Sequence, residues 1–149
     1  MAKVVKFKKL EKNAQIPQYA YDTDAGADIR SSEEYVLMPN ETAMINTGFS
    51  VAIPEGFFGA IASKSGLASR GIVVANSFGV VDSSYRGEVK VLLYNRTKAP
   101  FEINEGDKIA QFILMPFMKA QFREVEELDD TERKDGGFGS TDDKKRNGK

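Results

Sequence analysis

Asp82 stands between the apolar pair Val80-Val81 and the polar turn Ser83-Ser84, with Tyr85 three residues on, in the stretch NSFGVVDSSYRGEV (residues 76–89). A carboxylate held where a strand gives way to a turn is placed to act as a general base, and a nearby phenol ring offers a flat face for stacking on a sugar or base. The same residues also suit a plain hairpin, with the Asp accepting turn amides and the Tyr covering the sheet. Upstream, SKSGLASRG (residues 63–71) combines hydroxyls, two cations and two glycines. Glycine lets backbone amides approach an anion closely, so this stretch suits a phosphate. Ile72-Val73 follow Gly71 where a P-loop would carry Lys-Ser/Thr, which excludes a Walker motif. The structural alternative is a short Ser-capped helix closed by Gly71.

Three further stretches add polar groups in unusual settings. In GDKIAQFI (residues 106–113) Gln111 interrupts an apolar run, and a buried amide needs partners, either in packing or in a ligand. In DAGADI (residues 24–29) a turn leads into a strand start, and Asp28 suits a cation or a turn cap. Near the end, DGGFGSTD (residues 135–142) sets three glycines around Phe138, then Ser140 and Thr141.

Composition limits the chemistry. The 149 residues contain neither Cys nor His. Disulfides, thiolate nucleophiles, Ser–His–Asp triads, imidazole bases and Cys or His metal sites are all excluded. Catalysis must come from carboxylates, Lys, Tyr, hydroxyls, backbone amides or a hard cation such as magnesium. A formal net charge of −1 predicts no general attraction to nucleic acid or acidic membranes. The basic start MAKVVKFKKL lacks the apolar stretch of a signal peptide, and no apolar run reaches membrane-spanning length, so an intracellular, cytoplasmic protein is expected.

The elements that must position these groups read as strands. Val4–Phe7, Tyr35–Met38, Ala43–Ile53, Phe57–Ala62, Ile72–Ala75, Val89–Tyr94, Phe101–Ile103 and Lys108–Met118 are rich in Val, Ile and Phe, with Gly, Pro or polar breaks between them. The only helical candidate, SGLASRG, covers a turn or two. An all-β, jelly-roll-like barrel or sandwich is therefore predicted over residues 1–128. Residues 129–149 form a polar tail with six acidic and six basic side chains, which favours a solvated, flexible segment. Small β cores leave little room for a deep pocket, so a site between subunits is expected, and a loose tail suits reaching across.

Taken in order, AGADI, GAIASKSGLASRG, NSFGVVDSSYRGEV, GDKIAQFI and RKDGGFGST resemble the five motifs of the homotrimeric dUTPases, over residues 25–141. The resemblance implies a jelly-roll-like fold assembled as a three-fold homotrimer, with each site drawing on all three chains. It implies hydrolysis of dUTP to dUMP and pyrophosphate, which keeps uracil out of DNA and supplies dUMP for dTMP synthesis. Asp82 matches the carboxylate that activates water for attack on the α-phosphorus, and Mg2+ bridges the triphosphate oxygens, with Asp28 reached through water. Tyr85 matches the ring under the deoxyribose that leaves no room for a 2′-hydroxyl. Asn76 and the backbone around Gly79 and Val81 match the group that reads uracil. Ser63, Lys64, Ser65, Gly66 and Gln111 match phosphate contacts. From the tail, Phe138 and Gly139 cover the base, while Arg133, Ser140 and Thr141 close on the γ-phosphate.

The chain departs from that family pattern in a few places. Lys64 stands where Arg is usual, keeping the charge without the bidentate fork. Ala27 replaces an aromatic, Lys134 stands where a glycine usually follows the fifth-motif Arg, and Asp142 replaces the glycine usual after Ser-Thr. Two other readings of the same scaffold are a dCTP deaminase and a regulatory protein whose main work is binding; the complete set of Asp82, Tyr85, Gln111 and Phe138 speaks for the hydrolase.

Overall fold

The computed structural model describes residues 2–141, in which the Val-, Ile- and Phe-rich runs become eleven strands around one short helix. In chain order these are β1 (Lys6–Lys9), β2 (Ala27–Arg30), β3 (Tyr35–Leu37), β4 (Thr42–Asn46), β5 (Phe49–Ala52) and β6 (Phe57–Ala62). Helix α1 (Ser65–Ser69) follows, then β7 (Ile72–Val74), β8 (Phe78–Val81), β9 (Lys90–Asn95), β10 (Phe101–Ile103) and β11 (Lys108–Pro116). All pairings are antiparallel: β2-β11-β6-β8 form one sheet, β4-β9-β7 a second, and β1-β5 and β10-β3 two ribbons. The result is the predicted all-β, jelly-roll-like architecture.

The period-two pattern explains which faces meet. Strand β9 turns Val91, Leu93 and Asn95 inward and leaves Lys90 outside. Ile29, Leu37, Ile45 and Phe49 are fully enclosed with Val91 and Leu93, a burial that stabilises by about 1.5–3 kcal/mol per large apolar side chain. Asn95 sits in this core at no cost in unpaired groups. Its Nδ2 donates to the Leu37 and Ala99 carbonyls, and its Oδ1 accepts from the Thr97 amide and hydroxyl.

Three local expectations needed correction. The run Ala43–Ile53, read as one strand, breaks at Thr47-Gly48. Gly48 takes a φ of +71°, its amide donates to Glu88 Oε1 at 2.9 Å, and the chain leaves the β9 partnership of β4 for the β1 partnership of β5. Phe78–Val81, not among the expected strands although Asp82 was read at a strand-turn junction, is a full strand on β6. The helix over SGLASRG is real and closes at Gly71, with φ +87°, but it is not Ser-capped. Lys64 holds the cap position without a side-chain bond, because the Ser63 hydroxyl is turned to the β7 backbone and accepts the Val74 amide at 2.8 Å.

The chain divides into two units after Met118. Every residue of the buried core cluster lies at or before Phe112. Lys119–Thr141 carries turns but neither helix nor strand, and Asp142 with the charged residues after it lies outside the described part. Among the described residues no helix is long and apolar enough to cross a membrane.

Candidate active site

Two separate recesses hold the chemistry-bearing residues of the larger unit. The first lies over β2 and β11, where Asp28 and Gln111 are direct cross-strand partners, and Gln111 in turn pairs with Ala62 of β6. This row puts one carboxylate and one amide side by side on a sheet face. Lys64, entering from the residue before α1, and Lys108, at the start of β11, complete an open recess of about 410 Å³. The Gln111 Nε2 donates to the Ser63 carbonyl at 2.8 Å, which fixes the amide's orientation. Gly26 lies directly beneath it, since a Cβ there would fall 2.0 Å from Gln111 Oε1. Ser65 and Gly66 open α1 at the exposed end of this arrangement, with open space where a Gly66 side chain would stand.

Asp28 is buried, yet both its oxygens are engaged. Lys64 Nζ pairs with Oδ1, and Lys108 Nζ stands 2.7 Å from Oδ2. Burial pushes the carboxyl's pKa upward, but the hydrogen bonds and charges of Lys108 and Lys64 outweigh it and hold the group below the ordinary carboxylate value. A magnesium ion held by the protein itself does not fit this donor set. Both oxygens of Asp28 face ammonium groups, and no cluster of three or more acidic, His or Cys side chains occurs among the described residues.

The second recess lies along β8 and the turn after it, a groove of about 260 Å³ lined by Asn76, Gly79, Val81, Asp82 and Tyr85. Strand β8 ends at Val81, so Asp82 projects from the junction with the turn, as the sequence pattern required. Its carboxylate is exposed and takes no hydrogen bond or ion pair among the described residues; the turn is closed instead by its carbonyl, which accepts the Tyr85 amide at 3.1 Å. The hairpin alternative, with the carboxylate spent on turn amides, is therefore not what forms. The Tyr85 hydroxyl donates to the Glu88 carbonyl at 3.0 Å, over Gly87, whose Cβ would clash with that hydroxyl. This pins the ring's edge and leaves a face open. Gly79 pairs with Ile61 and lies against the Asn76 side chain, so the uracil-reading candidates share one wall.

The two recesses share no residue. Gln111 is level with Ala62 on one face of the four-stranded sheet, whereas Ile61 and Gly79 are level on the other. Within one chain, then, Asp28, Ser63, Lys64 and Gln111 come together, and Asn76, Gly79, Val81, Asp82 and Tyr85 come together, but the groups stay apart.

In the smaller unit, Arg133 is tied into a turn, its Nε donating to the Gly136 carbonyl at 2.7 Å and its carbonyl accepting the Gly136 amide. Lys134 adopts a φ of +49°, and Phe138 and Gly139 also take positive values. Glycine enters that region freely, which is a physical reason for a glycine to be usual at position 134. Phe138 is fully exposed, and the Ser140 amide donates to the Gly137 carbonyl at 3.0 Å.

Sequence reasoning missed Lys108 and Gly26. The steric need for Gly26 comes from Gln111, far along the chain, and leaves no local signal. Lys108 reads as a solvated strand start, and only the pairing of β11 with β2 brings it to Asp28.

A family model described as dUTPase matches residues 12–142. The deoxyuridine 5'-triphosphate nucleotidohydrolase of Thermobifida fusca is 45% identical over 139 residues, covering 92% of this chain and 78% of that protein. The enzyme of the same name from Zymomonas mobilis is 48% identical over 130 residues, covering 87% and 89%. Among solved structures, a variant of the Staphylococcus bacteriophage 80alpha dUTPase with dUpNHpp superposes with a TM-score of 0.87 at 30% identity, covering 94% of this chain and 99% of that one. A variant of the dUTPase from phage phi11 of S. aureus, described with a structural Mg(II) ion, gives 0.79 at 31% identity, covering 86% and 100%.

Proposed function

The chain belongs to the dUTPase family, and on that premise we propose that it hydrolyses dUTP to dUMP and pyrophosphate in sites that copies of the chain build together, as a three-fold homotrimer. The observation that carries this reading is the separation of Asp82 and Tyr85 from Lys64 and Gln111, which no single chain closes. A cyclic assembly brings the unlike surfaces of neighbouring copies together and makes several equivalent sites at once. The tail, residues 129–149 with its fifth motif at Arg133–Thr141, is the lid of a neighbouring site.

Asp82 is the base. Its exposed carboxylate, free of competing partners, takes a proton from a water that attacks the α-phosphorus, and the leaving group is pyrophosphate. Ser63, Lys64, Ser65, Gly66 and Gln111 hold the phosphates in line for that attack, which is where most of the acceleration in phosphoryl transfer arises. Magnesium, which this donor set does not itself cage, would arrive with the nucleotide and supply charge neutralisation for the leaving pyrophosphate. Asn76 and the backbone at Gly79 and Val81 read the uracil edge, and a cytosine presents the opposite donor pattern there. The pinned ring of Tyr85 packs against the deoxyribose and leaves no space for a 2′-hydroxyl. Phe138 and Gly139 cover the base, with Arg133, Ser140 and Thr141 on the terminal phosphate.

The test is a panel of dUTP, dCTP, dTTP and UTP, with and without magnesium, followed for both pyrophosphate and ammonia. Pyrophosphate from dUTP alone is the expected result. Ammonia from dCTP would mean a deaminase instead. Turnover of none of them, with nucleotide binding retained, would point to a regulatory protein.

A further inference from the structure

Strand β11 carries one residue more than β2 between two paired positions: Lys108 pairs with Arg30, and Ala110 with the adjacent Ile29. The unmatched residue, Ile109, makes a bulge, and its side chain is buried next to that of Ala110. Under strict alternation Lys108 would share the face of Ala110 and Phe112, both of them buried. The bulge instead turns Lys108 to the face of Gln111, where its Nζ stands 2.7 Å from Asp28 Oδ2. Asp28 Oδ1 is already paired with Lys64. One ammonium balances one carboxylate, so a second one, delivered by a break in the ladder, needs a separate reason.

The reason lies in what happens to Lys64. It precedes Ser65 and Gly66, in the loop that holds the phosphates in the reading above, yet its charge is committed to Asp28. Moving it to a phosphate oxygen from a one-lysine site would strand a buried, bare anion beside an incoming polyanion, which is costly on both counts. We propose that Lys108 is a positioning residue that frees Lys64: by keeping Asp28 paired, it lets Lys64 exchange the carboxylate for the triphosphate. Lys108 itself stays on the ladder beside Asp28, while Lys64 moves from carboxylate to phosphate. This role rests on the dUTP reading.

The experiment compares wild type, Lys108→Met, Lys108→Arg, Asp28→Asn and the Lys108→Met/Asp28→Asn pair by steady-state kinetics with dUTP, with deoxyuridine as a phosphate-free competitive inhibitor. Lys108→Met is expected to raise KM for dUTP by at least about tenfold, the scale of one charge-assisted hydrogen bond, with kcat reduced less than about threefold. The inhibition constant for deoxyuridine stays unchanged, and Lys108→Arg restores KM. In the Asp28→Asn background, where no carboxylate retains Lys64, the Lys108→Met effect disappears. An active wild type overturns the role of Lys108 alone if Lys108→Met leaves KM unchanged, weakens deoxyuridine equally, or costs the same with Asp28 removed. A wild type that releases no pyrophosphate from dUTP overturns the hydrolase reading, and this role with it.

Discussion

Gln111 donates its side-chain amide to the Ser63 carbonyl across 2.8 Å, and it does so lying directly over Gly26. An alanine at position 26 would put its Cβ 2.0 Å from Gln111 Oε1 and 2.9 Å from Cδ. The far end of a glutamine can swing away cheaply, so Gly26→Ala should leave the melting temperature within a few degrees of wild type while lowering kcat/KM by about ten- to a hundredfold. Gly59→Ala should do the reverse. Its Cβ would meet the Phe112 ring at 2.4 Å and Ile53 Cδ1 at 3.1 Å, inside the core, costing about 1–3 kcal/mol of stability. Thermal melts and kinetics on the pair check both; equal loss of stability in the two variants would contradict the assignment.

Asp82→Asn keeps the shape of the side chain and removes the base. Turnover of dUTP is expected to fall by about a thousandfold, with affinity for a non-hydrolysable dUTP analogue changed by no more than a few-fold. Single-turnover chemistry alongside equilibrium binding separates the two. Near-normal hydrolysis would remove Asp82 from the mechanism.

Truncation after Thr131 removes the fifth motif and none of the buried core, which ends at Phe112. The shortened chain should melt and elute as the full-length protein does, while turnover drops by about a hundredfold or more through loss of substrate enclosure. Failure of the truncated chain to assemble would make the tail a structural strap.

Asp28 links stability to acid. Burial raises its pKa, the Lys108 and Lys64 hydrogen bonds lower it further than burial raises it, and the net value lies below the ordinary one. A carboxyl depressed in the folded state contributes stability above its unfolded value and loses it as pH falls through the folded one. Wild type should therefore melt above Asp28→Asn at neutral pH, and the gap should close below about pH 4. Melting curves across that range test it, and a gap that stays constant into strong acid would break the linkage.

The parts of the fold that were legible in the sequence are those written in local pattern. The strands expected at Val89–Tyr94 and Phe57–Ala62, observed at Lys90–Asn95 and Phe57–Ala62, announce themselves by apolar runs with β-branched and aromatic residues between Gly, Pro or polar breaks. The break at Gly48 was hidden because AMINTGFSVAI (residues 43–53) is largely apolar on both sides of Asn46-Thr47-Gly48, and the change of partner from β9 to β1 is a tertiary choice. Strand β8 escaped because Phe78 and Val80 face outward, so apolar residues occupy both sides and no alternation appears. The site was legible as five stretches. Its ion pairs were not: Lys64 and Asp28 are far apart in sequence, and the bulge that aims Lys108 exists only in the register of two strands.

Gln111 and Asp82 lie in different recesses, so a chain that has lost one can still lend the other. Two preparations, one carrying Gln111→Ala and one Asp82→Asn, should each be inert, yet co-refolding them in equal amounts should return about a quarter of the wild-type sites, those that draw an intact residue from each neighbour. In an assembly whose sites are shared as proposed, inheritance of a defect is not strictly a property of the chain: one crippled allele is complemented by a differently crippled one.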